Sequence, residues 1–293
     1  MFYRRKILMA LLQVFNGEIE KIKLQKLIFL TCKRQKNSEY QFIPYKFGCY
    51  SFSLKADLIT MVKKGILTET PTSYLLPNKT DYFKGIKEDD KIIIRDINKH
   101  YGQMSSNSLM KYTYIHYPYW AIKSTVASDI LNVEELAKVN ALKEERRNTT
   151  LYTIGYEGTS LEEYLNKLVI NDIKVLVDVR SNPLSMKFGF SKTLLSRYCE
   201  SLGIDYKHFP EVGIKSNQRQ ELNTQSDYDK LFEEYKKGLP STLSVQIAIL
   251  ELLKQHKRIA LTCFEANICQ CHRKPLAESI KSLPEFKYEL KHI

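Results

Sequence analysis

Apolar residues recur at helical spacing from Phe2 to Phe15, and Asn16-Gly17, a pair that tolerates the left-handed region, predicts where that helix stops. Ile22, Leu27, Ile28 and Leu30, with Lys and Arg between them, predict a second helix over roughly residues 21–36. Phe42-Ile43-Pro44-Tyr45 reads as a short extended piece, which Gly48 turns. Ser51 or Ser53 can cap a third helix that runs to about Lys64 and closes at Gly65. Residues 66–70, 71–73 and 74–76 then read as the strand, turn and strand of a β-hairpin. Three helices followed by a hairpin is the order of a winged helix. Further helix is expected over residues 88–100 and in a Tyr-rich stretch, residues 105–120. A connecting helix is expected over residues 132–147, capped by Asn132. Glu134 and Glu135 in its first turn, and Lys143, Arg146 and Arg147 in its last, suit the two ends of the helix dipole.

After Asn148-Thr149-Thr150 the pattern changes. Leu151-Tyr152-Thr153-Ile154 is a short apolar strand that ends in Gly155-Tyr156-Glu157-Gly158, and Ser160 with Glu163 forms a capping box for a helix to about Val169. Val175-Leu176-Val177-Asp178-Val179 has the near-continuous β-branched character of a strand buried on both faces. Helices are expected over residues 192–202, 227–237, 241–256 and 275–282, with strands at 204–209 and 259–263. Alternating strands and helices imply an α/β fold with a mostly parallel sheet. The expected architecture is therefore α+β followed by α/β. Residues 1–127 form a mainly helical, winged-helix-like domain, residues 128–149 a linker helix and residues 150–293 the α/β domain.

A length of 293 residues accommodates those two domains. With 43% hydrophobic and 27% charged residues and few Gly or Pro, the chain is neither dominantly disordered nor fibrous. No apolar run is long enough to span a bilayer, and the basic Met1–Lys6 segment is followed by too short an apolar stretch for a signal peptide. Six Cys without framework spacing read as reduced thiols of a cytoplasmic protein with no membrane partner. Charge separates the halves. Residues 1–148 hold 25 Lys/Arg against 15 Asp/Glu, a net of +10, whereas residues 149–293 hold 20 against 18, a net of +2. That is the signature of a polyanion-binding module joined to a nearly neutral one, although a Lys-rich composition alone would also produce it.

Polar residues follow three of the expected strands: Tyr156 and Glu157; Asp178, Arg180, Ser181 and Asn182; and Cys263, Glu265, Cys269, Cys271, His272 and Arg273. Strand ends are where open parallel sheets build ligand sites. Asp178 and Arg180, two apart on a strand, point the same way; the Arg either keeps the Asp ionised or clamps an anion, or the two form an ion pair that shapes the loop. Glu265 is a candidate general acid or base, unless it is a solvated loop carboxylate. Cys271, beside His272 and Arg273 and before a helix, is a candidate nucleophile with a lowered pKa. The Cys and His spacing argues against zinc, because adjacent Cys271 and His272 rarely reach one ion; no metal or other cofactor is expected. His208 and His272 suit substrate contacts or structural roles, and Lys187, Lys192, Lys215 and Arg219 lie where they could meet phosphates.

Two family resemblances rest on these residues. Tyr152-Thr153-Ile154-Gly155-Tyr156-Glu157-Gly158, Asp178-Val179-Arg180-Ser181-Asn182-Pro183 with Ser185 and Phe188, Gly203-Ile204 with Tyr206, His208-Phe209-Pro210 with Gly213, Cys263-Phe264-Glu265 and Cys271-His272-Arg273 stand in the order of the family called domain of unknown function 488. The second half resembles that family over about residues 150–282. Where the family often has a double Gly, this chain has Gly213-Ile214. The resemblance implies an α/β fold and a site location, but little chemistry. The first half, through Lys23-Leu24-Gln25-Lys26-Leu27, the segment Phe42 to Gly48 with Tyr50-Ser51, and Gly65-Ile66-Leu67, is similar to the antitoxin domain known as Panacea, or SocA-like. That resemblance implies a mainly helical module able to bind a protein partner.

The expected function is a nucleic-acid-directed enzyme, a hydrolase of glycosylase type that cleaves the N-glycosidic bond of a base in bacterial defence or nucleic-acid maintenance, with DNA ahead of RNA as partner. In this reading Asp178, Glu265 and Cys271 are the catalytic candidates. Tyr156, Glu157, Arg180, Asn182, Lys187, His208, His272 and Arg273 contact substrate, with Tyr156 stacking on an extruded base and Arg180 and Arg273 holding phosphate. The alternative is a non-enzymatic protein that binds nucleic acid, a nucleotide or a toxin.

Overall fold

Every residue from Ile7 to Leu12 is buried, which makes helix α1 (Tyr3–Val14) central to the core of the first half. The computed structural model describes residues 1–293 except 78–79, 144–147, 216–221 and 223. The chain divides into two units, residues 1–144 and 145–293.

In the first unit α1 is followed by β1 (Glu18–Glu20), α2 (Lys21–Arg34), the hairpin β2 (Ile43–Tyr45) and β3 (Gly48–Tyr50), α3 (Phe52–Lys63), β4 (Thr68–Glu69) and β5 (Ser73–Leu75). The expected hairpin is β4–β5, and β1 joins its far side to give a three-stranded antiparallel sheet of order β1-β5-β4. Helices plus this small sheet make the winged-helix-like layout. Ser51 is the residue that caps α3, its hydroxyl accepting from Leu54 N at 3.1 Å. Asp57 of α3, 1% exposed, accepts from Arg4 Nε (2.6 Å) and Arg5 Nε (2.8 Å) of α1 and from the Tyr40 hydroxyl (3.0 Å). Burial raises its pKa, but the Arg4 and Arg5 hydrogen bonds outweigh burial and leave it below the ordinary value. Lys26, also 1% exposed, donates to Phe47 O and to Cys49 O (2.9 Å), which fastens the β2–β3 hairpin to α2.

Helices α4 (Glu88–Tyr101), α5 (Ser106–His116), α6 (Ala127–Ile130) and α7 (Val133–Ala141) complete this unit. The Asn132 cap of α7 is a full capping box with Glu135. This helix is shorter than its sequence pattern suggested, and Val139 packs with Met110, Tyr114, Ala121, Ala127 and Leu131 in the first unit's own core. Arg146 and Arg147 lie outside the described residues.

The second unit runs β6 (Thr150–Gly155), α8 (Leu161–Ile170), β7 (Val175–Asp178), α9 (Lys192–Ser201), β8 (Asp205–His208), α10 (Gln225–Gly238), α11 (Leu243–His256), β9 (Arg258–Cys263), α12 (Arg273–Lys281) and β10 (Glu289–His292). The sheet is five-stranded and parallel throughout, in the order β10-β6-β9-β7-β8. All residues of β6, β7 and β9 are buried, as their apolar runs required. On one face Leu151, Val175, Val177, Ile259 and Leu261 form a core with Ile249 and Leu253 of α11 and Leu276 and Ile280 of α12. The capping box expected at Ser160 and Glu163 opens α8, which covers the opposite face. Among the described residues no helix is long and apolar enough to cross a membrane.

Candidate functional site

The carboxyl ends of β6, β7 and β9 lie side by side, and beyond them is a cavity of about 360 Å³, within the usual range of small-molecule sites. Its walls include Tyr156, Arg180, Ser181, Asn182, Ser185, Cys263 and Phe264. Register decides how the polar residues behind those walls are grouped. Asp178 pairs with Thr262 across β7 and β9, so both side chains share the face on which the Tyr164 hydroxyl donates to Thr262 Oγ1 at 2.7 Å. Cys263, one residue on, falls on the face covered by α11 and α12.

On the first face Asp178 is fully buried. It accepts from Arg180 Nε (2.9 and 3.1 Å to its two oxygens), from Arg180 Nη2 (2.5 Å) and from the Tyr206 hydroxyl (2.5 Å). Arg180 Nη1 donates to the Tyr156 hydroxyl (2.7 Å) and to Phe190 O (2.9 Å). Burial opposes the charge of Arg180, but the Asp178 carboxylate more than offsets it. Burial, and then Asp178, push the Tyr206 hydroxyl up. This is the ion pair that shapes the strand end, which corrects two expectations. Asp178 turns both carboxylate oxygens to internal donors and is not among the residues of the cavity wall, and Arg180 commits its fork to Asp178, Tyr156 and Phe190 where a phosphate clamp was expected.

Tyr156 is corrected too. It is 2% exposed, stacked on Phe190 with centroids 4.2 Å apart, and has the Arg180 guanidinium 5.2 Å from its ring centroid. No face is left for a base. The aromatic that can meet one is Phe264, 43% exposed and in the cavity wall. The sequence offered a signal for it, an aromatic directly after a buried strand and before Glu265.

The remaining candidates divide between support and access. The Glu157 carboxylate accepts from Ala266 N (3.0 Å) and its own N–H donates to Phe264 O (2.9 Å), so it pins the loop after β9. His208 Nε2 donates to Arg180 O (2.8 Å) while Lys192 Nζ faces its Nδ1 (3.2 Å), a backbone clamp away from the cavity walls. Lys187 Nζ donates to Tyr156 O (2.5 Å), and burial lowers its pKa. Asn182 is exposed on the cavity rim, Lys192 and Lys215 are exposed, and Arg219 lies outside the described residues.

The second face gathers the residues that sequence spacing kept apart. One donor atom each from Cys263, Glu265, Cys271 and His272 lie within 4.8 Å of one another. Cys263 Sγ donates to Glu265 Oε2 (3.1 Å) and stands 3.6 Å from His272 Nδ1, while His272 Nε2 donates to Val179 O (3.0 Å). Cys271 and His272 are fully buried and Glu265 is half-buried. Burial, and then a hydrogen bond with Cys263, push the Cys271 thiol well up, the opposite direction from the lowered pKa its sequence neighbours suggested. Adjacent Cys271 and His272, a spacing expected rarely to reach one ion, do bring their donor atoms together here, where the chain turns into α12. Arg273 is 2% exposed and donates to Glu265 O and to Ala266 O (3.1 Å), so it braces the loop and does not reach for phosphate. Two close backbone approaches set this edge. A Cβ on Gly155 would lie 1.9 Å from Glu265 O, and one on Gly213 would lie 2.2 Å from Ser181 N.

The family described as Domain of unknown function DUF488 matches residues 160–280, a span that contains β7, β8, β9, the Asp178–Arg180 pair and the group Cys263, Glu265, Cys271 and His272, while Tyr156 and Glu157 lie just before it. No curated protein matches this chain.

Proposed function

We propose that the second unit is a hydrolase acting on nucleic acid, whose strand-end cavity receives one nucleotide and hydrolyses the N-glycosidic bond of its base. The observation that carries this reading is the cavity itself. It is sized for a single extruded base, walled by Phe264, Ser181, Asn182 and Ser185, and adjoins the Glu265 carboxylate through Cys263. Phe264 stacks on the base, and the amide and hydroxyls read its edge. Glu265 takes the proton of a water that attacks the anomeric carbon as the base departs with the bonding electrons. Asp178, Arg180 and Arg273 hold the frame. The net +10 of residues 1–148 supports a polyanionic partner, DNA ahead of RNA. The likeness of that half to an antitoxin domain supports a protein partner there as well, and a setting in bacterial defence or nucleic-acid maintenance.

A second reading is a binding protein without turnover. It is favoured by how many of the polar strand-end groups are spent internally. One experiment separates the two. The full chain is incubated with single- and double-stranded DNA and RNA, modified and unmodified, and the nucleic acid is analysed by mass spectrometry. Release of a free base that Glu265→Gln abolishes while binding persists is the enzyme's result. Binding that Glu265→Gln weakens, with every nucleic acid recovered intact, is the binder's.

A further inference from the structure

We propose that Cys263, Cys271 and His272 hold a zinc ion, with Glu265 at the fourth corner. Two thiolates, an imidazole and a carboxylate are the donor types that tetrahedral zinc takes. Zinc–ligand bonds of about 2.0–2.3 Å place ligand atoms roughly 3.3–3.8 Å apart. The four donor atoms already lie within 4.8 Å of one another, so modest side-chain rotation closes the shell.

The imidazole carries the strongest argument. Val179 O can only accept a hydrogen bond, so His272 Nε2 is the protonated nitrogen, and in the neutral ring Nδ1 presents its lone pair toward Cys263 Sγ, 3.6 Å away. A histidine whose far nitrogen donates to a backbone carbonyl is oriented and fixed in its tautomer as metal ligands are. Charge also fits. Two thiolates and a carboxylate exceed the ion's charge by one, and Arg273, whose positive charge acts on Cys271, stands beside them. Binding releases the two thiol protons to solvent. Three of the donors are buried, and Glu265 is the half-buried one. The fourth position is therefore the exchangeable corner. Glu265 is shared with the proposed reaction, whereas the three buried ligands, Cys263, Cys271 and His272, do not depend on what the cavity takes.

The test is metal content, which needs no substrate. The full chain, purified under reducing conditions without chelator and dialysed, is analysed by mass spectrometry for metals, then stripped and refilled with Co²⁺. The expected result is about one zinc per chain, and for cobalt a sulfur-to-metal charge-transfer band with the visible bands of a tetrahedral site. Cys271→Ser and His272→Ala should lower zinc affinity by more than the roughly 10–100-fold that outer-shell losses cost. Cys269→Ser, which changes an exposed thiol outside the cluster, should leave it unchanged. Glu265→Gln should keep the ion with weakened affinity. Zinc well below one per chain and no cobalt thiolate band in the wild-type protein would overturn the proposal. So would an intact mass showing a Cys263–Cys271 disulfide in the purified chain.

Discussion

At Asp178 four donor groups of two residues, the backbone N–H, Nε and Nη2 of Arg180 and the Tyr206 hydroxyl, converge on one carboxylate with no water-facing side. Removing the charge leaves Arg180 buried and unpaired, so Asp178→Asn should lower the unfolding free energy of the second unit by about 3 kcal/mol, measured by denaturant titration. A catalytic Asp would instead lose turnover with its stability intact. Gly155 makes a complementary case. Ala there must push Glu265 O aside, since its Cβ would lie 1.9 Å away. Gly155→Ala should cost roughly 1–3 kcal/mol, as overpacking does, and reduce base release at least tenfold by displacing the loop that carries Glu265. Phe264→Ala, at an exposed position, should leave stability unchanged. It should weaken nucleic-acid binding by the roughly 1–3 kcal/mol that one stacked base is worth, read from a titration at fixed salt.

Among the elements, the ones legible in the sequence are those that bury a full pattern. The strands β6, β7 and β9 announce themselves because every residue is inside, and α8 because its capping box and apolar face agree. The strands β1 and β10 do not. Glu18–Glu20 shows a single buried residue, and Glu289–His292 is exposed but for Leu290, so neither has an apolar period to read. The site was legible as a set of residues and illegible as an arrangement. Its members follow the strands in plain order, but only the pairing of Asp178 with Thr262 assigns Asp178 and Cys263 to opposite faces. Strand register between segments some 80 residues apart is written in no local pattern. The contact of α1 with α3 through Asp57 makes a prediction at this scale. The folded-state pKa of Asp57 lies below its ordinary value of 3.8, so its contribution is fully present above that value. It is lost as pH falls through the lower folded value. Acid unfolding curves should therefore be flatter for Asp57→Asn than for the wild type over that window.

Over the whole chain, charge is the property that separates the two units, and it sets how binding should respond to ions. If the basic half contacts a nucleic-acid backbone, the logarithm of the binding constant should fall linearly with the logarithm of salt concentration, with a slope of about −0.9 for each duplex phosphate neutralised. A flat response would assign that surface to a protein partner. The sheet order of the second unit has a consequence of a different kind. The strands β6 and β7 are successive in the chain but not neighbours in the sheet, because β9, made some 80 residues after β7, is inserted between them. Until it arrives the growing unit has a gap one strand wide with two unsatisfied edges, and such long-range parallel pairing is intrinsically slow. The strand that fills the gap also carries Cys263 and leads into Glu265, Cys271 and His272. The cluster therefore comes together as β9 enters the sheet, with only α12 and the edge strand β10 left to follow in the chain.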